Sequence, residues 1–294
     1  MSERFKIARN AVRATQLVMN LPAIATQDWL RSCAEACCCY SEHAAALTFV
    51  CNSPTNGDRI SVLSTGVAFA PHAAPASSRA QLAITLQDRS ERMNRLGLQF
   101  PENAMTRGLI APMQSIDPAW ATSALARDFA STQFTSPLIH MLPIANHQHA
   151  LLLLCVIGFG QAADVNESRQ TLAMMHAIHE PLSARANAAL ARVDNPRAWL
   201  TDREQSVLEL LIEGHSVRVI AEQLGRSTHT IHDHVKNLHR KIGASSRGEL
   251  IALALGHLAQ ALAAPRTDPI VLPFPGESLA EFKPMQATAR PLHS

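Results

Sequence analysis

Between residues 228 and 241, His229, His232, Asp233, Lys236 and Arg240 recur three or four positions apart, the spacing that gathers side chains on one helix face. The set holds imidazole donors and acceptors, one carboxylate and two cations. Such a face can hydrogen-bond to the edges of a polar ligand and hold anions. Ser227, Thr228 and Thr230 add hydroxyls at its head, and Asn237 and Lys241 extend it. The opposite face reads Ile231, His234, Val235, Leu238 and Ile242, the side that packs.

The elements that must position this face lie on either side. Thr201 followed by Glu204 spells a capping box, and Leu208, Leu211 and Ile212 follow at helical spacing up to Gly214. A second short helix gathers Val217, Ile220, Ala221 and Leu224, closed by Gly225. Ser227 or Thr228 then caps a third helix of roughly 22 Å, at ~1.5 Å per residue, ended by Gly243. Ser246 and Glu249 spell a second capping box before Leu250, Leu253 and Ala254. Short helices with tight glycine turns, the third polar on its outer face, describe a helix-turn-helix that places that face in a DNA groove.

Leu200–Leu258 is similar to the LuxR-type DNA-binding domain of bacterial transcription regulators. Leu200-Thr201-x-Arg203-Glu204 matches the family's opening, and Ser216 with Ile220-Ala221-x-x-Leu224 matches its second helix. Ser227-x-x-Thr230-Ile231-x-x-His234 matches its recognition helix, and Lys241-Ile242-Gly243 with Arg247 its close. The resemblance implies a tetrahelical fold, double-stranded DNA and RNA polymerase as partners, and a homodimer on a two-fold site. It also implies that Glu204 and Arg247 tie the first helix to the fourth. Two departures stand out: His232 where the family often has Lys, and Val219 where it has an acidic residue. The base preference therefore does not carry over.

On this reading Ser227, Thr228, Thr230, Arg218, Lys236, Arg240 and Lys241 hold phosphates, and His229, His232, Asp233 and Lys236, with Asn237 beside them, face base edges. Thr201, Glu204, His234 and Arg247 are structural, His234 as a packed, hydrogen-bonded core histidine. The basic residues of the module (Arg203, Arg218, Arg226, Lys236, Arg240, Lys241, Arg247) are balanced by Asp202, Glu204, Glu209, Glu213, Glu222, Asp233 and Glu249. So few free cations give weak binding by one copy, and affinity asks for two copies on two half-sites. If His229, His232 and His239 face phosphates, binding strengthens as pH falls through ~6.5.

The remaining chain bounds the class. With 294 residues and 47% hydrophobic content, two domains and a sizeable core are expected. The net charge of +2 selects no partner. The most apolar run, Leu151–Phe159, falls well short of the ~20 residues of a membrane helix. No secretory signal follows Arg4, Lys6, Arg9 and Arg13, so a cytoplasmic protein with reduced cysteines is expected. Cys33, Cys37, Cys38, Cys39 and Cys51 match no common zinc spacing and read as small buried side chains; no metal or cofactor is expected. There is no phosphate loop, nucleophile elbow or His/Glu metal pair, so no enzyme is expected. His140, His147 and His149 read as hairpin residues, and His176 and His179 as packing positions.

Residues 1–45 read as helical with a break near Pro22. Apolar runs at Ala46–Val50 and Ile60–Ala70 form one hairpin, and Pro137–Pro143 with Ala150–Phe159 a second. Leu82–Leu96 and Ala119–Phe129 read as helices, and Glu167–Leu190 as a long exit helix that Pro181 can bend. The expected class is α+β: an N-terminal domain with one antiparallel sheet, resembling GAF- or PAS-like sensors, and an all-α C-terminal domain. The acyl-homoserine-lactone-binding domains of some LuxR-type regulators share that architecture, but Trp29, Tyr40 and Trp120 do not reproduce their aromatic and aspartate pattern. A phospho-receiver lacks its acidic pair here. The expected divisions are a regulatory domain at 1–190, a linker at 191–199, the DNA-binding domain at 200–258 and a disordered tail at 259–294, where Pro265, Pro269, Pro273, Pro275, Pro284 and Pro291 block regular structure. The N-terminal domain takes a small-molecule effector or, alternatively, serves only oligomerisation or protein contacts.

Overall fold

The computed structural model describes residues 3–26, 28–52, 61–92, 100–101, 103–122, 126–127, 130, 133–144, 151–160, 163, 165–191, 199–255 and 268–277. Two helices, α1 (Glu3–Met19) and α2 (Trp29–Cys38), flank the break at Pro22. The hairpin strands are β1 (Ala44–Asn52) with β2 (Ser61–Phe69), and β4 (Phe134–Ile144) with β5 (Leu151–Gly160). Between them lie α3 (Ala76–Arg92), the short α4 (Ala104–Arg107), β3 (Leu109–Pro112), α5 (Met113–Ile116) and a 3-10 turn at Trp120–Thr122. The exit helix is two helices, α6 (Val165–Ala177) and α7 (His179–Leu190), separated at Ile178. Pro181 lies in the first turn of α7, where its missing N–H costs no helical bond.

The sheet runs β2-β1-β5-β4-β3 with every pair antiparallel, and β6 (Ile270–Val271) adds a parallel edge beside β3. The fold class is α+β, as the residue patterns imply. The α-helical half is also as expected: α8 (Asp202–Ile212), α9 (Val217–Leu224), α10 (Thr228–Ile242) and α11 (Arg247–Ala254). Among the described residues, no helix is long and apolar enough to cross a membrane.

The sheet is buried on both faces because β1 and β5 are near-continuous apolar runs rather than alternating ones, with Thr48 the one polar side chain buried within them. On one face Ala44, Ala46, Val50, Leu153 and Ile157 pack under α1, α2, α6 and α7. On the other, Leu47, Phe49, Leu154 and Val156 meet Met113, Trp120 and Phe134. The middle row of the first face is polar. Gly66, Thr48, Cys155, His140 and Ile110 stand opposite one another across five strands. The Thr48 hydroxyl donates to the Leu30 carbonyl at 2.7 Å, and His140 Nε2 shares a proton with His179 Nδ1 at 2.9 Å. Gly66 is where α2 comes closest: a Cβ there would lie 2.4 Å from the Leu30 carbonyl carbon, so only glycine fits.

One expectation is corrected here. The tail is not disordered throughout: Ile270 N bonds to Gly108 O and Leu272 N to Ile110 O, both at 3.0 Å, so residues 268–277 cover the β3 edge. Arg107 holds the Asp268 carbonyl, Ser115 the Pro273 carbonyl, and Arg169 pairs with Glu277. Between Pro101 and Pro118 the chain forms β3, too short to show a period in sequence. The linker core (192–198), the loop of His147 and His149, His257 and five residues of Ala119–Phe129 lie outside the described residues.

Candidate nucleic-acid interface

Each helix of the C-terminal half starts and stops where its side chains dictate. Thr201 accepts from the Glu204 N–H at 3.3 Å, and the Glu204 carboxylate accepts from the Thr201 N–H at 2.9 Å, completing the box. Ser216 caps α9, and Ser227 caps α10 by accepting from the Thr230 N–H at 3.1 Å. Gly225 and Gly243 end α9 and α10 at φ of 61° and 74°, the left-handed region that side chains avoid. Ser246 accepts from the Glu249 N–H, but Glu249 returns the bond to Ser245, so the second box is completed one residue earlier than expected.

Ile231, Leu238 and Ile242 bury one side of α10 against Val207, Leu211, Ile220 and Leu250. The other side is open. Thr228, His229, His232, Asp233, Lys236 and Arg240 are all exposed, as is Arg218 on α9. Exposure of 88% at the His229 side chain and 82% at Arg218 leaves room for a partner the size of a duplex backbone. His229 lies 3.7 Å from Asp233 and Arg218 3.6 Å from Glu222, surface pairs one turn apart that contribute little to stability. Asn237 is half-buried and accepts from Arg240 at 3.3 Å.

Four residues leave their expected places. Lys241 does not join the open face. Its side chain is 15% exposed, and its ammonium donates to Glu204 at 2.7 Å and to the Trp199 carbonyl at 3.1 Å. Glu204 therefore pairs with Lys241 rather than Arg247, whose guanidinium instead holds the His215 and Leu211 carbonyls at 2.8 and 3.4 Å. The first helix is tied to the fourth, but through backbone oxygens. Burial raises the Glu204 pKa, and the bonds from Lys241 and Thr201 outweigh it, holding the carboxyl below its ordinary value. His234 is half-buried and, among the described residues, has no side-chain hydrogen bond, so it is not the satisfied core histidine expected. It lines a cleft of about 170 Å³ with Arg203, Arg226 and Thr230. His239 is also withdrawn from the surface set: its Nδ1 contacts the Ala244 carbonyl at 2.9 Å, past the helix end.

Arg203 and Arg226 are the cations that the helical spacing of α10 could not nominate. Both are exposed, both flank the first turns of α10, and neither lies on that helix. The N-terminal half touches this unit away from the open face. Ile24 packs on its core, Leu200 N bonds to Ala25 O at 3.1 Å, and Trp199 is buried in the sheet domain.

Residues 198–254 match the family "Bacterial regulatory proteins, luxR family". A putative HTH-type transcriptional regulator in the exeN 3' region of Aeromonas salmonicida is 40% identical over 80 residues, 27% of this chain and 40% of that protein's length. The spore germination protein GerE of Bacillus subtilis (strain 168) is 34% identical over 61 residues, 20% of this chain and 82% of that protein. Among solved structures, Escherichia coli SdiA aligns over 81% of this chain and 93% of its own, at 18% identity and a TM-score of 0.33. With most of GerE's length matched by α8 to α11 and their caps, the chain belongs to the luxR family of bacterial regulatory proteins.

Proposed function

We propose that the chain is a transcription regulator that binds double-stranded DNA through α10 and is controlled by its N-terminal domain. One observation carries this reading: the polar side of α10 is open along its length while its apolar side is fully used. The description of the Aeromonas relative supports it. Lys236, Arg240, Arg218, Arg203 and Arg226 would neutralise phosphates, with Ser227, Thr228 and Thr230 donating to them. His229, His232, Asp233 and Asn237 would face base edges. Lys241, held by Glu204, stays out of the interface.

The unit is short of free cations, so we infer two copies on a two-fold site, each reading one half. Residues 1–190 would form the regulatory domain and 191–199 the connection to the DNA-binding domain at 200–258. The seam of Ala25, Thr26, Trp199 and Leu200 would carry a change from one to the other, since Trp199 belongs to the sheet core and its carbonyl to Lys241. An effector acts by preferring one arrangement of that seam. Contact with RNA polymerase would follow from promoter binding.

Selection of duplexes from a random pool by the full chain tests this. An enriched site with two-fold symmetry is expected, lost in a Lys236→Ala, Arg240→Ala double variant that keeps its fold. A pool that stays random through repeated rounds contradicts the reading.

A further inference from the structure

The cysteines divide by what their sulfurs touch. Cys38 Sγ donates to the Ala68 carbonyl at 3.2 Å and Cys39 Sγ to the Ala36 carbonyl at 3.0 Å. Cys51 packs in the opposite core face. Cys33, Cys37 and Cys155 instead face one another, their three sulfurs within 4.8 Å. Two come from successive turns of α2 and the third from the middle of β5, in the polar row between Thr48 and His140. All three are 0–1% exposed.

A second observation points to the same place. Among the described residues, two buried side-chain polar atoms have no hydrogen-bond partner, Tyr40 Oη and His140 Nδ1. Tyr40 shares the buried core of Cys37, and His140 is the cross-strand neighbour of Cys155. An orphaned buried polar group costs about 1–3 kcal/mol, and here both border one cluster of soft donors.

We propose that Cys33, Cys37 and Cys155 form a site for a soft, thiophilic ion bound through three sulfurs, of the class of Cu(I) or trivalent arsenic. An ion about 2.3 Å from each sulfur sets the sulfurs about 4 Å apart around planar Cu(I) and about 3.4 Å apart around pyramidal arsenic, so the trio closes by less than about 1.5 Å. Zinc asks for a fourth ligand in a tetrahedron, and among the described residues no fourth donor joins the cluster. Thiolates select soft ions. Burial favours a complex of low net charge: trivalent arsenic with three thiolates is neutral, and Cu(I) with two thiolates and one thiol carries a single negative charge.

The binding step balances without an oxidant or reductant. Arsenite exchanges three hydroxyls for three sulfurs and releases three waters formed with the thiol protons. Cu(I) displaces one proton to solvent for each new thiolate. Closing the trio draws α2 toward β5. Cys33 is one helical turn from Trp29, whose Nε1 donates to the Pro22 carbonyl at 2.9 Å, in the loop that carries Ala25 and Thr26. Transmission to DNA rests on the regulatory reading above; ion binding does not.

The reduced, metal-free full chain is titrated without oxygen, once with Cu(I) under a competing chelator and once with arsenite, with Zn(II) as the contrast. Expected are one ion per chain, sulfur-to-metal ultraviolet absorption and three sulfurs at about 2.3 Å by X-ray absorption. Cys33→Ser, Cys37→Ser and Cys155→Ser each weaken binding at least about tenfold, and Cys39→Ser and Cys51→Ser do not. The tighter of the two soft ions identifies the ligand. Failure of the folded chain to bind either ion, binding that survives the three substitutions, or a tighter Zn(II) complex with nitrogen in its shell overturns the site. Should the serine variants not fold, the sulfur count on the unsubstituted chain decides, and fewer than three overturns it. No DNA is present, so failure here and failure of the DNA-binding reading are separate results.

Discussion

The Lys241 ammonium lies 2.7 Å from the Glu204 carboxylate and 3.1 Å from the Trp199 carbonyl, so one cation joins α8, α10 and the core of the sheet half. Both partners are largely shielded, and removing either leaves a polar group short of a bond. Lys241→Met is expected to cost about 1–3 kcal/mol, seen as a lower unfolding midpoint of this unit. Its effect on DNA binding should vanish once the folded fraction is accounted for. A stable Lys241→Met chain with impaired binding would return Lys241 to the interface.

Acid should destabilise the two halves in different windows. Burial, and then the nearby His176, lower His179 from the ordinary 6.5 to about 4, and burial, with His179 beside it, lowers His140 as well. The unfolded chain binds those protons first, so stability is full above about 6.5 and drains as pH falls toward 4. Glu204 is depressed, so its contribution is present above the ordinary glutamate value and is lost as pH falls below it. Urea unfolding followed by the N-terminal tryptophans, Trp29 and Trp120, should therefore weaken between pH 6.5 and 4, with His179→Gln flattening that loss. Identical pH profiles for the two chains would exclude the histidine pair as the cause.

The seat of α2 on the sheet is specified by Gly66 and Thr48. A Cβ at Gly66 meets backbone at 2.4–2.6 Å, which a side-chain rotation cannot relieve. Gly66→Ala should cost about 3 kcal/mol, the top of the usual range of overpacking. Thr48→Val keeps the shape and removes the donor to Leu30, costing about 1–3 kcal/mol. Both are read as denaturation midpoints of the full chain. A neutral Gly66→Ala would mean that α2 sits farther from β2 than described.

Ending the chain at residue 267 removes β6 and uncovers the β3 edge. Loss of its two backbone bonds and the Arg169–Glu277 pair should lower the unfolding midpoint by several degrees and promote concentration-dependent association, as bare edges do. Light scattering unchanged over a wide concentration range would contradict this.

What the sequence made legible follows sequence distance. Thr201 with Glu204, Ser227 with Thr230, and the terminal glycines 225 and 243 act within one helical turn, so the four helices and the open face of α10 could be read directly. The two hairpins could be read because apolar runs flank clusters of turn formers. Lys241 was misplaced because its partner is in another helix, and its position beside Arg240 looks like surface until α8 is in place. Cys155 could not be joined to Cys33, nor His140 to His179, because only the strand register brings them together. β3 and β6 are too short to carry a period, and their pairing links Leu109 to Ile270.

The most direct test of the account is the salt dependence of DNA affinity for the selected duplex, comparing the unsubstituted chain with Lys236→Ala. The open face predicts a linear fall of log K with log salt, and a slope shallower by about one unit in the variant. An identical slope in the two chains, or no measurable affinity at low salt, would contradict the assignment of α10 to DNA.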